Sequence, residues 1–111
     1  MALMRGFLGA DVVTIRVTEA LAEFGSLFNG ILVPPDGYLV GVRTLCDEMG
    51  IVMIVDEVMA GFGRCGEWFA VDHWGVVPDL ITFAMGVNSG YVPLGGVIIS
   101  DEIAATFAIH P

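Results

Sequence analysis

The sequence predicts an α/β domain with a mixed, mostly parallel sheet and flanking helices, and three observations carry that expectation. Ile51–Val55 is an unbroken apolar run, the mark of a strand covered on both faces in a parallel sheet. Before it lies Tyr38–Met49, in which Tyr38, Val42, Leu45 and Met49 recur at the helical period with Cys46 beside them. After it come two further apolar runs, Leu80–Ala84 and Leu94–Ser100, joined by only nine residues. That link is too short for a helical crossover, so these two strands are expected as antiparallel neighbours. Helix, strand, loop and strand in this order imply layers packed on one sheet.

The remaining elements follow from local signals. Residues 12–17, VVTIRV, alternate Val13, Ile15 and Val17 with Thr14 and Arg16, the pattern of a half-exposed strand. Residues 18–28 suit a short helix weakened by Gly25. Pro34-Pro35-Asp36-Gly37 stops any preceding element and starts a helix at about Tyr38, with Asp36 near the cap. Arg43, Asp47 and Glu48 lie off the apolar stripe of that helix, and Gly50 ends it. Pro78-Asp79 leads into Leu80, and Asp101-Glu102 opens a last helix through about Ala108. Three or four strands with few helices make an incomplete layer, whose bare edges invite pairing.

Composition narrows the function. A chain of 111 residues is at most one domain. It is 56% hydrophobic and 15% charged, too apolar to cover itself comfortably, which points to association or to a part of a larger body. The net charge of −9 leaves no basic footprint for nucleic acid. Leu80–Ser100 is 21 residues without a charge, but its glycines, Pro93 and the Asn88-Ser89 pair read as two strands around a turn rather than a membrane helix. Cys46 and Cys65 fit no metal-ligand spacing and are expected as reduced thiols of a cytoplasmic protein. There are four arginines and no lysine.

The chemistry concentrates in Ile51–Gly66, IVMIVDEVMAGFGRCG. Asp56 and Glu57 stand where a buried strand stops, and ligands of open α/β sheets sit at the carboxyl ends of strands. Taken alone, Asp56 has three readings: a cap for the following turn, a metal ligand, or a buried anion facing a cationic cofactor nitrogen. The surrounding motifs, PPDGYL, the DEV–GFGR block, EWFAVDHWGVVPD and GYVPLGG with its following strand, jointly select the third. In this order and spacing they resemble the class III pyridoxal-phosphate-dependent aminotransferases of fold type I, most closely those acting on ω-amino acids with pyruvate. The resemblance covers about residues 30–103, residues 1–29 being divergent, so 1–111 is expected as part of the major, cofactor-binding domain.

Carried over by residue, the resemblance makes Asp56 the partner of the pyridine nitrogen and Val58 a residue packing on one face of the ring. Glu57 and Arg64 match positions that brace the loop, and His73 and Trp74 fall in a surface-helix segment without assigned chemistry. Three departures stand out. Where the family has Ala-Lys-Gly, with the lysine forming the Schiff base, this chain has Ala84-Met85-Gly86. A thioether is no imine-forming amine, and losing a residue that serves as both nucleophile and base removes most of the rate. No stretch corresponds to the family's Gly/Ser segment that cradles the cofactor phosphate. The small C-terminal domain and the later segment serving the neighbouring subunit's phosphate site have no counterpart. Cys65 replaces a usual threonine and reads as a small buried thiol.

The resemblance thus implies pyridoxal 5′-phosphate as cofactor and amino donors and 2-oxo acids as substrates. With Met85 at the lysine position, the expectation is a catalytically inactive fragment, a pseudoenzyme with no catalytic residue and weak or no cofactor binding. The alternatives are a non-catalytic interaction or dimerisation module pairing with a full-length aminotransferase, or a gene remnant. A homo-oligomer or association with a related chain is expected, with no metal, nucleic acid or membrane.

Overall fold

The computed structural model of the chain describes residues 12–16, as a strand, and residues 33–109. The elements in order are β1 (Val12–Arg16), α1 (Tyr38–Met49), β2 (Val52–Asp56), a 3-10 helix (Ala70–Trp74), β3 (Leu80–Ala84), a single 3-10 turn (Gly86–Asn88), β4 (Gly95–Ile99) and α2 (Asp101–Ile109). They form one four-stranded sheet in the order β1-β2-β3-β4. β1 and β3 each pair parallel to β2, and β4 runs antiparallel to β3 with Thr82 opposite Val97. The mixed, mostly parallel sheet and its antiparallel last pair are as the sequence predicts. The predicted helix at 18–28 and the half-exposure of β1 lie outside the described residues.

β2 is covered on both faces, as its continuous apolar sequence requires. Met53 and Val55 are fully buried with Leu39, Cys46, Ala70 and Val71, on the side of α1 and the 3-10 helix. Ile54 packs with Leu80 and Ile103 of α2 on the other side. The result is three layers, with β2 at the centre. The strand starts and ends one residue later than the apolar run suggests, so Asp56 is its last residue.

One local expectation is refined and another corrected. The helix starts at Tyr38 as expected and Asp36 lies next to its cap, which is Gly37; Gly37 takes a φ of +79°, and Asp36 makes no side-chain cap. Glycine holds this left-handed conformation without a Cβ penalty, and the turn closes through Tyr38 N–H to the Pro35 carbonyl at 3.0 Å. The stripe Tyr38, Leu45 and Met49 is exposed, whereas the buried helix face is Leu39 and Cys46, with Val42 half-buried between them. The helix is therefore rotated by about one residue from its apolar period. Gly50 ends it as expected, in a left-handed conformation with its N–H turned back onto the last turn.

The rotation is explained by Arg43. Its guanidinium reaches Asp79 Oδ2 at 2.8 Å and Asp47 Oδ1 at 2.6 Å. Burial opposes its charge, but the two carboxylates outweigh that and hold the proton more firmly than usual. The same Asp79 oxygen accepts the Met53 N–H at 2.7 Å, and the Asp79 carbonyl accepts Ser100 N–H at 2.9 Å. One aspartate thus ties α1, β2, the start of β3 and the start of α2 together. Asp79→Ala should lower stability by about 2–4 kcal/mol, because it strands a backbone donor and takes one carboxylate from a largely buried cation. Urea unfolding with an unchanged slope would check this; a loss below about 0.5 kcal/mol would contradict it.

Candidate active-site cleft

The chain beyond β2 turns back on itself because of Glu57. This side chain is fully buried. Its two oxygens accept the N–H groups of Ala70 at 3.1 Å and Val71 at 2.9 Å. Its own N–H goes to the Thr82 carbonyl of β3 at 2.9 Å, and its carbonyl accepts Gly61 N–H at 2.9 Å. Burial pushes its carboxyl above the ordinary glutamate range; the Val71 and Ala70 donors pull the other way, and the charges of Asp72 and Asp56 add to the rise. Glu57 is the brace of the loop, as its place in the DEV–GFGR block suggests.

The loop it braces needs its glycines at one position above all. A Cβ on Gly61 would stand 3.0 Å from the Glu57 carbonyl oxygen and 3.2 Å from the Phe69 ring. The next residue, Phe62, takes a φ of +59° and donates its N–H to the Trp68 carbonyl at 2.7 Å. Its ring meets those of Phe69 and Phe83 edge-on, with centroids 5.5 and 5.3 Å away. The loop is thereby pinned to β3, whose end carries position 85.

Met85 sits in a backbone conformation that side chains rarely adopt, with φ +52° and ψ −54°. It is held there by three backbone hydrogen bonds: its N–H to the Leu94 carbonyl at 3.0 Å, and its carbonyl accepting from Asn88 at 3.3 Å and Gly90 at 3.0 Å. Such strain persists where the surroundings over-determine it, and it gathers at functional sites. Met85 is half exposed and lines a cleft of about 700 Å³ together with Val58, Met59, Phe62 and Arg64. Gly86, Ser89 and Gly90 belong to the same lining.

Of the sequence-selected residues, the structure brings Val58 and Met85 into this one cleft. Asp56 stands at the carboxyl end of β2, half-buried, in register with Arg16 and Thr82. It is not among the residues lining the cleft. Its Oδ1 accepts the Val58 N–H at 3.1 Å, so it caps the turn that follows, one of the readings its sequence leaves open. Arg64 is exposed on the cleft wall. His73 donates Nε2–H to the Cys65 carbonyl at 2.7 Å, since a carbonyl only accepts. Burial and then the Glu57 charge raise the Cys65 thiol, with Arg64 opposing, which keeps it in its unreactive form. Among the described residues no three His, Cys, Asp or Glu side chains gather to hold a metal ion, and no helix is long and apolar enough to cross a membrane.

A family model, aminotransferase class-III, matches residues 28–110. The chain belongs to the class-III aminotransferase family. It is 49% identical over 96 residues to the putrescine–pyruvate aminotransferase of Pseudomonas aeruginosa, covering 86% of this chain and 20% of that protein. It is 48% identical over 82 residues to the omega-amino acid–pyruvate aminotransferase of Pseudomonas putida, covering 74% of this chain and 18% of that one. Among solved structures, the taurine:2-oxoglutarate aminotransferase of Bifidobacterium kashiwanohense, in complex with PLP and glutamate, superposes with a TM-score of 0.79. That match is 48% identical and covers 89% of this chain and 21% of the other. The chain therefore spans about a fifth of the length of the relatives it matches. Its layers are part of the large domain of a fold type I transferase.

The class-III family implies pyridoxal phosphate, whose aldehyde takes up an amino group and whose ring then accepts electrons. The cleft has the size for a flat ring, and Val58, Met59, Phe62 and Met85 are among its lining residues. It offers no amine: the chain contains no lysine, and the thioether of Met85 lies in the wall. A cofactor tethered as an imine to a side chain does not fit this class-III chain.

Proposed function

We propose that the chain is a lysine-less part of a class-III aminotransferase cofactor domain, which keeps the frame of a pyridoxal slot and does not itself catalyse amino transfer. The observation that carries this reading is Met85, strained just after β3 and lining the same cleft as Val58, in a chain without lysine. In this reading residues 1–111 form part of the major domain. Asp56 faces the protonated ring nitrogen, a pairing that burial strengthens, and Val58 packs on the ring. The relatives act on putrescine, taurine or omega-amino acids with pyruvate or 2-oxoglutarate. The corresponding substrates of this chain would be an amine donor and a 2-oxo acid. The two free thiols support a reducing, cytoplasmic setting.

The test is alanine formation from pyruvate and putrescine with added pyridoxal phosphate. The rate should equal that of the free cofactor without protein; sustained turnover above that background would end the proposal. A second reading, a module that pairs with a full-length aminotransferase, is favoured by the exposed stripe Tyr38, Leu45 and Met49 on α1. Co-sedimentation with such an enzyme distinguishes the two, and failure to co-sediment counts against the second.

A further inference from the structure

Among the described residues, the non-glycine positions with a positive φ are Phe62, Met85 and Ser89, and all of them line the one cleft. Such backbone costs free energy wherever a Cβ is present, so it persists only where the surroundings hold it. For Met85 the holding groups come from the segment that follows. Its N–H goes to the Leu94 carbonyl, and its carbonyl accepts from Asn88 and Gly90. These bonds last only while residues 85–94 keep a closed path. Between the turn at Gly86–Asn88 and the start of β4 at Gly95, no helix or strand enforces that path.

One side chain closes it from inside. Asn88 Oδ1 accepts the Gly90 N–H at 3.0 Å, and Asn88 Nδ2 donates to the Val92 carbonyl at 2.9 Å. Its backbone takes part as well: the N–H reaches the Met85 carbonyl at 3.3 Å, and the carbonyl accepts from Tyr91 at 3.3 Å. The Gly90 N–H is shared between the Met85 carbonyl and Asn88 Oδ1, so the side chain fastens the same amide that clamps position 85. A carboxamide suits this place because it carries an acceptor and a donor side by side. Asn88 is not in the cleft lining, whereas its neighbours Ser89 and Gly90 are. It acts from behind the wall. On the far side of the turn, Gly86 packs on the loop after β2, where an added Cβ would lie 3.4 Å from Phe62 Cβ.

We propose that Asn88 is a positioning residue of the cleft: its side-chain amide closes the 85–94 loop and so keeps residue 85 at positive φ, whatever side chain stands there. The unusual backbone is then a property of the loop rather than of methionine. Taking this cleft as the functional one rests on the reading proposed above, but the hydrogen bonds that carry the assignment involve no cofactor.

A double-mutant cycle in urea tests it. Glycine and alanine at position 85 both lack the methionine side chain and differ by the Cβ that positive φ penalises. With Asn88 in place, Met85→Gly should have an unfolding constant at least about fivefold below that of Met85→Ala. With Asn88→Ala added, residue 85 relaxes, and the ratio should fall to about twofold or less. Asn88→Asp is the same size but sets an oxygen against the Val92 carbonyl. It should act alike and serves if the alanine variant fails to fold. A side chain that merely stabilises the loop would weaken both variants equally and leave the ratio unchanged. That result would overturn the proposal, as would alanine matching glycine while Asn88 is present. The second readout is the borohydride-fixed pyridoxal label in Met85→Lys, set against Met49→Lys on the exposed face of α1. Adding Asn88→Ala should cut the excess at position 85 by about fivefold or more, and an undiminished excess would contradict the assignment. Equal labelling of the two lysine variants with Asn88 intact would refute the pyridoxal reading instead, and the cycle, which uses no cofactor, still decides Asn88.

Discussion

Replacing Glu57 by alanine should cost about 3–5 kcal/mol, a large share of the whole stability of a domain this size. The substitution leaves the N–H groups of Ala70 and Val71 without acceptors in a fully buried place and opens a cavity beside them. The segment from Val58 to Trp74 should loosen first, since Glu57 is what fastens its far end to the strand it leaves. Glu57→Gln is milder, about 1–3 kcal/mol, because the amide keeps one acceptor and turns a donor toward the other N–H. The pair also exposes a pH effect of defined sign. Burial lifts the Glu57 carboxyl above its value in the unfolded chain, so the folded protein binds that proton more tightly. Its contribution is complete below the unfolded value and is lost as pH rises through the folded one. The stability of the wild type relative to Glu57→Gln should therefore fall on going from the ordinary glutamate range upward. Urea midpoints measured over that window check it, and a difference that grows with pH would reverse the sign and refute the account of Glu57.

Met85→Lys should create what the wild type lacks, a borohydride-stable pyridoxal adduct at position 85. The backbone there is already fixed in its unusual conformation by three hydrogen bonds. An unbranched side chain of similar length should enter without new strain, costing under about 1.5 kcal/mol. The reference is Met49→Lys, on the exposed face of α1 and away from the cleft. Labelling at position 85 should exceed that at position 49 by about tenfold or more, which corresponds to 1.4 kcal/mol of added binding. Amino transfer should remain poor unless another chain supplies a phosphate cradle. Equal labelling at the two positions would show that the cleft does not hold the ring.

The elements with strong local signals were legible in the sequence. α1 and β3 have the predicted bounds, and the nine-residue link sufficed to make β4 antiparallel. The orientation of α1 was not legible, because periodicity reports which apolar side chains align and not which face meets the sheet. That was decided by Arg43 reaching Asp79, 36 residues away, a contact no local pattern contains. The only trace was Pro78-Asp79 before an apolar strand. In the cleft, the motifs marked Val58 and Met85, while the positive φ of Phe62 and Met85 left no signal, since neither residue type favours it. Glu57 was recognisable as a brace only through its motif. Its two backbone partners lie 13 and 14 residues on, in a 3-10 helix that the sequence marks weakly.

The central claim is that this class-III chain has no side-chain amine with which to hold the cofactor aldehyde. The direct measurement is to incubate the purified wild type with pyridoxal phosphate, reduce with borohydride and map the adduct by peptide mass spectrometry. The account predicts no stable adduct on the peptide containing Met85 or on any other side chain of these residues. A reduced pyridoxyl group on any internal residue, stoichiometric with protein, would contradict it.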